Sequence, residues 1–247
     1  MRRVFVSACV AGLLLGFAAD GRADEATDIL DKAIKAHGGA EKLAKLKAVR
    51  TKTKGTLEVA GGLDFTQEVV VQLPDKFKET MDLNVMGNEV KVVTLLNKEK
   101  GSIHVNGKEQ PLDDKVKAEL KEASHAAQVG QLLPLKKPPF TLTVLGELKV
   151  RDKPAVGLKV SAKGFRDIDV WFDKETGRIA KVERRVYDTM SGQEVTEERF
   201  VLEYQDFNGQ PVAKKVSMNR DGKKFLELEV TDVKFPESID ESEFANP

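Results

Sequence analysis

The sequence predicts a mainly β (α+β) protein: a single antiparallel curved sheet or half-barrel of about 11–12 strands, covered by an N-terminal helix and a mid-chain helix. Three observations carry this. From residue 51 onward apolar and polar residues alternate over most of the chain, the period of a strand with one buried face. The apolar spacing changes to three and four in only two places, near residues 26–46 and 113–131. Short turns rich in Gly, Asn and Asp join the alternating runs, as expected for antiparallel neighbours. A sheet this wide curls or closes, and its concave face must then be filled by side chains, a helix or a ligand.

The first 23 residues read as a secretory signal peptide. Met1-Arg2-Arg3 is a basic start, residues 4–19 are an apolar run, and Gly21-Arg22-Ala23 sets small residues at the −3 and −1 positions of a cleavage site after Ala23. The run is shorter than the ~20 residues of a bilayer-spanning helix. Val6-Ser7-Ala8-Cys9 has the look of a lipidation site, but too little apolar sequence precedes Cys9 for it to be one. Residues 24–247 are then one exported domain, expected in the periplasm, with no transmembrane helix.

Ile29, Leu30, Ala33, Ile34, Leu43 and Leu46 recur at helical spacing, and His37-Gly38-Gly39 between them reads as a helix stop and restart. Alternation then sets Leu57, Val59, Phe65, Val69, Val71, Met81 and Leu83 on one face of the first three strands, the predicted wall of an apolar cavity. Runs at 90–96 and 102–105 continue it, with Asn106-Gly107 as a hairpin turn. Asp113-Asp114 offers an N-cap to a helix striped by Val116, Leu120, Ala123 and Ala127, a face so narrow that it suits a movable lid with Leu120 at its centre. Pro134 and Pro138-Pro139 forbid its extension. Strands resume at 141–150, 155–162, 167–172, 179–187, 197–207, 212–218 and 223–235.

Composition excludes several function classes. Lys+Arg and Asp+Glu both number 40, and without residues 1–23 the balance is 37 to 39; nucleic acid, which calls for a basic excess, is not an expected partner. Cys9 is the single cysteine, so there is no disulfide framework and no thiolate metal site. His37, His104 and His125 share no ligand or triad spacing. His37 reads as a helix-end residue and His104 as a solvent-facing strand residue. Paired carboxylates such as Glu227 and Glu229 read as a wet strand face, and Asp173 as a turn residue before Gly177. No catalytic residue, cofactor or metal is expected, and the protein is not read as an enzyme. Trp171, between Val170 and Phe172, fits either the core or the cavity mouth.

Several segments together resemble the LolA/LolB-like periplasmic lipoprotein-carrier superfamily. They are the opening Ile29-Leu30-Asp31-Lys32-Ala33-Ile34-Lys35-Ala36-His37-Gly38-Gly39, the strand-turn-strand Val170-Trp171-Phe172-Asp173-Lys174-Glu175-Thr176-Gly177-Arg178-Ile179, the hairpin Tyr204 to Val212, and the ending from Phe235-Pro236 to Pro247. The resemblance implies an incomplete barrel that holds a lipid, an acylated protein or another apolar ligand in its concave face, in lipoprotein or lipid transport across the cell envelope. The same fold also implies an alternative: a structural or stress-sensing envelope protein that binds a protein partner.

Overall fold

The computed structural model describes residues 20–59, 61–98, 100–189 and 191–245; residues 1–19 of the expected signal lie outside them. Helix α1 (Asp20–Ala36) buries Ala26, Leu30, Ala33 and Ile34, one stripe at three- and four-residue spacing. It ends where Gly38 and Gly39 take φ of 107° and 87°, values that only glycine adopts at little cost. The short helix α2 (Ala40–Lys45) follows.

Thirteen strands make one sheet: β1 (Ala48–Leu57), β2 (Leu63–Gln72), β3 (Lys76–Val85), β4 (Asn88–Asn97), β5 (Lys100–Val105), β6 (Lys108–Gln110), β7 (Thr141–Val150), β8 (Lys153–Ser161), β9 (Ile168–Asp173), β10 (Ile179–Asp188), β11 (Gln193–Phe207), β12 (Gln210–Arg220) and β13 (Lys223–Lys234). Their order is β6-β5-β4-β3-β2-β1-β13-β12-β11-β10-β9-β8-β7. Two meanders therefore meet at β1 and β13, antiparallel neighbours in the middle of the sheet. The consecutive strands β6 and β7 are its two opposite edges. Helix α3 (Asp114–Gly130) makes the connection between them, with the Asp113 carboxylate accepting from the Val116 N–H at its start. The strand count exceeds expectation because β6 has only three residues, too few to show a period. The strand expected from residue 197 begins at Gln193, through polar residues that carry no pattern.

The pairing register assigns every strand residue to a face, since directly paired residues point the same way. Val156, Leu158, Val160, Ile168, Val170, Phe172 and Val182 share the face on which α1 lies, and with Leu30, Ala33, Ile34, Val129, Leu132 and Leu135 they form the main core. We call this the inner face. Each fully buried Leu or Phe here contributes about 1.5–3 kcal/mol by leaving water, so α1 is fastened over β7–β10. The outer face carries two smaller clusters. Ala48 and Val70 pack under Ile239 and Phe244 of the C-terminal segment, and Trp171 packs with Val150 and Ala155, lying so close over Gly157 that a Cβ there would sit 2.6 Å from the ring. His104, expected in solvent, is 4% exposed; its face of β4 and β5, with Val93, Leu95 and Ser102, is buried, and burial of that face follows from tertiary packing that alternation cannot report.

Leu30 is 1% exposed at the centre of the contact between α1 and the sheet. Leu30→Ala should therefore cost about 2–5 kcal/mol of unfolding free energy, measured by urea denaturation. A loss below about 1 kcal/mol would mean that α1 is not part of the cooperative core.

Candidate functional site

The other half of the inner face has no helix fastened along it. Register places Leu57, Phe65, Val69, Val71, Met81 and Leu83 there together, joined by Phe77, Val90 and Val92. Phe65 is buried, and the rest are half-buried. On the outer face the same strands carry Lys52, Lys54, Asp64, Thr66 and Asp82, all exposed. A wall that is largely apolar and only half covered is an open trough, which solvent meets at a cost unless something apolar fills it. Val59 stands apart: β1 ends at Leu57, and Val59 lies in the bend that follows, where its carbonyl accepts from the Gly62 N–H. Trp171 is on the outer face, opposite Gly157 and Lys181, away from the trough.

Helix α3 spans the gap between the two sheet edges. On one side Leu120 reaches Gly101 of β5, so closely that a Cβ on that glycine would lie 2.5 Å from its Cδ1, and Gln128 donates to the Pro74 carbonyl at 2.7 Å. On the other, Glu119 accepts from Arg166 at 2.7 Å and from the Tyr187 N–H at 2.8 Å, and Glu122 accepts from the Arg166 N–H. His125 stacks on Phe165, with ring centroids 4.1 Å apart, and on Phe140 at 5.5 Å; burial lowers its pKa. Most of α3 beyond His125 and Val129 is exposed or half-exposed. The helix is thus held by a few polar latches and one aromatic stack rather than by a buried stripe.

Polar groups cross the trough in one place. Thr53 donates to the Gln67 side-chain oxygen at 2.9 Å, and the Gln67 amide donates to Glu79. All three stand on the inner face of adjacent strands. Burial among apolar neighbours raises the Glu79 pKa, and the Gln67 bond offsets this only in part. His37, by contrast, closes a helix end: its Nδ1 bonds the Ala33 carbonyl at 2.8 Å and its ring meets Tyr204 edge-on. Asp173 accepts from the N–H and hydroxyl of Thr176 in its turn. Among the described residues no group of three or more His, Cys, Asp and Glu is placed to hold a metal.

A concavity of about 1100 Å³ borders the same strands and is of different character. Phe65, Leu83 and Val90 contribute to its lining, but most of it is polar, with outer-face side chains such as Lys54, Asp82, Lys91 and Glu227. Its charges are paired, Lys91 with Asp82 across β4 and β3 at 3.4 Å, and Lys224 with Glu58 at 3.3 Å and with Glu227 of its own strand at 3.0 Å. Such exposed, mutually satisfied charges describe a solvated surface, so the apolar trough is the stronger candidate site.

No protein-family model matches the chain, and no curated protein does. Solved structures do. A LolA superfamily protein from Nitrosomonas europaea superposes with a TM-score of 0.58 at 12% identity, covering 89% of this chain and 97% of that one. A DUF1329 family protein from Desulfovibrio piger gives 0.54 at 10% identity over 89% and 97%. A structure described as an outer membrane lipoprotein-sorting protein domain, from Vibrio parahaemolyticus, gives 0.52 at 14% identity over 90% and 97%. The chain therefore has a LolA-like fold. No helix among the described residues is long and apolar enough to cross a membrane.

The raised pKa of Glu79 has a signed consequence for stability. Below its ordinary value of 4.5 the side chain is protonated in both folded and unfolded chains, and Glu79→Gln should match the wild type. Above it the unfolded chain ionises more readily than the folded one, so the wild type loses stability relative to the variant. Urea midpoints should favour Glu79→Gln by a margin that opens as pH rises toward neutrality; a margin independent of pH would place Glu79 in water.

Proposed function

We propose that this LolA-like half-barrel is an exported binding protein that holds a lipid, an acylated protein or another apolar ligand along the inner face of β1–β4, beneath α3. One observation carries the reading: Leu57, Val69, Val71, Met81 and Leu83 share one largely apolar face that the protein's own helices leave half-covered. Phe65 floors this surface, and Leu120 meets its edge from α3. The latch-held α3 supports entry from that side, because a few part-buried polar contacts and one aromatic stack hold it rather than a broad apolar face. Residues 1–23 direct export, and the mature chain of residues 24–247 works in the periplasm, where the printed name of the Vibrio relative makes acylated proteins a natural ligand class. The protein binds and releases its ligand without chemistry upon it.

The test uses neighbouring residues that point to opposite faces. Met81 looks into the trough, and Thr80 looks out, beside Glu68 and Val93. The neutral fluorophore N-phenyl-1-naphthylamine should bind the wild type and Thr80→Arg alike, and Met81→Arg at least fivefold more weakly with unchanged circular dichroism. Equal binding by all three proteins, or none by the wild type, would overturn the reading.

A further inference from the structure

One charge interrupts an otherwise apolar row of the inner face. Following the pairing register from β1 across β13, β12, β11 and β10 to β9, one residue per strand, the row reads Leu57, Leu226, Met218, Arg199, Val182, Val170. Two neighbours confirm which way Arg199 points. Val182, its direct partner, packs against the core beneath α1. Phe200, next in sequence, is on the outer face, where Lys181 Nζ lies 5.4 Å from its ring centroid.

The adjacent cations are matched and Arg199 is not. Glu197, with its side chain 7% exposed, takes Arg184 at 3.0 Å on one oxygen and Arg220 at 3.2 Å on the other. Arg220 also pairs with Asp188 at 2.7 Å. The nearest carboxylate on Arg199's own face is thus already shared by two guanidinium groups, and among the described residues Arg199 makes no hydrogen bond or salt bridge. Its side chain is open to water, yet the protein packed around it lowers its pKa, chiefly by desolvation. An arginine on this face remains charged, and the carboxylate nearest it is already shared by two other guanidinium groups.

We propose that Arg199 binds the acidic head of an amphiphilic ligand, a carboxylate or a phosphate monoester, whose acyl chain runs along the inner face toward β1 and β2. A guanidinium presents paired N–H groups that match either head in bidentate fashion. From β11 to β2 is four inter-strand steps, at most ~19 Å along the sheet, room for a long acyl chain over Met218, Leu226 and Leu57. The inference rests on the trough being an apolar binding site, and adds to it a polarity: head at β11, tail at the β1–β4 end.

Displacement of bound N-phenyl-1-naphthylamine by palmitate, 1-palmitoyl lysophosphatidate and hexadecanol tests it, each below its aggregation limit. At least one acid should displace the probe at concentrations tenfold or more below those needed of the alcohol, and the better of the two identifies the head as carboxylate or phosphate. Arg199→Leu should bring both acids to the level of the alcohol, with the probe and hexadecanol still binding as before; Arg199→Lys should keep part of the preference. A wild type that binds the probe but ranks acids and alcohol equally overturns this inference alone, as does an Arg199→Leu protein that retains the preference. That wild-type comparison decides the matter even if the leucine variant fails to fold. A wild type that binds no probe overturns the inference together with the binding-site reading beneath it.

Discussion

An apolar sheet face must be covered, and this chain makes more of that face than its helices can cover. Thirteen strands present one continuous inner surface, while α1 seals only the β7–β10 portion and α3 bridges the gap at the edges. Closure of the sheet on itself would have hidden the remainder, but β6 and β7 stay unpaired with each other. The half-covered residues of β1–β4 are what is left of this arithmetic, and a surface of that kind favours any apolar molecule that fits it.

The polar groups on that surface fall into two kinds. Thr53, Gln67 and Glu79 bond to one another across three strands, and the Glu197 carboxylate is shared by Arg184 and Arg220 across three others. Internally satisfied groups of this type fix geometry without needing a ligand. Arg199 is of the second kind: among the described residues it makes no hydrogen bond or salt bridge, and the proposed head-group contact starts from that difference. The Glu119 and Glu122 latches belong with the first group, and together with the stacked His125 they determine where α3 rests.

Much of this architecture is legible in the alternation of residues. Phe65, Val69, Val71, Met81 and Leu83 share a face because each strand keeps strict parity and its turns are short. Val59 stands apart because parity continues one step past the end of β1, into the bend that follows it. At Val170-Trp171-Phe172 three apolar residues in succession erase the parity signal, and only the register shows that Trp171 points outward. Arg199 could not be read at all: Glu197, Glu198 and Arg199 in sequence resemble a wet strand, and the pairing of β11 with β10 and β12 is what turns Arg199 inward. The β1–β13 pairing is equally silent in sequence, being a contact between strands more than 160 residues apart.

That central pairing has a bearing on when the protein can become itself. Because β13 is the last strand in the chain and β1 the first, the two meanders remain separate sheets with bare edges until the C-terminal segment has emerged from the ribosome. Contacts of such long sequence separation form late and slowly, and exposed strand edges in the interim invite pairing with other chains. A chain without β13 would leave the two meanders unjoined, each with a bare edge open to pairing with another chain.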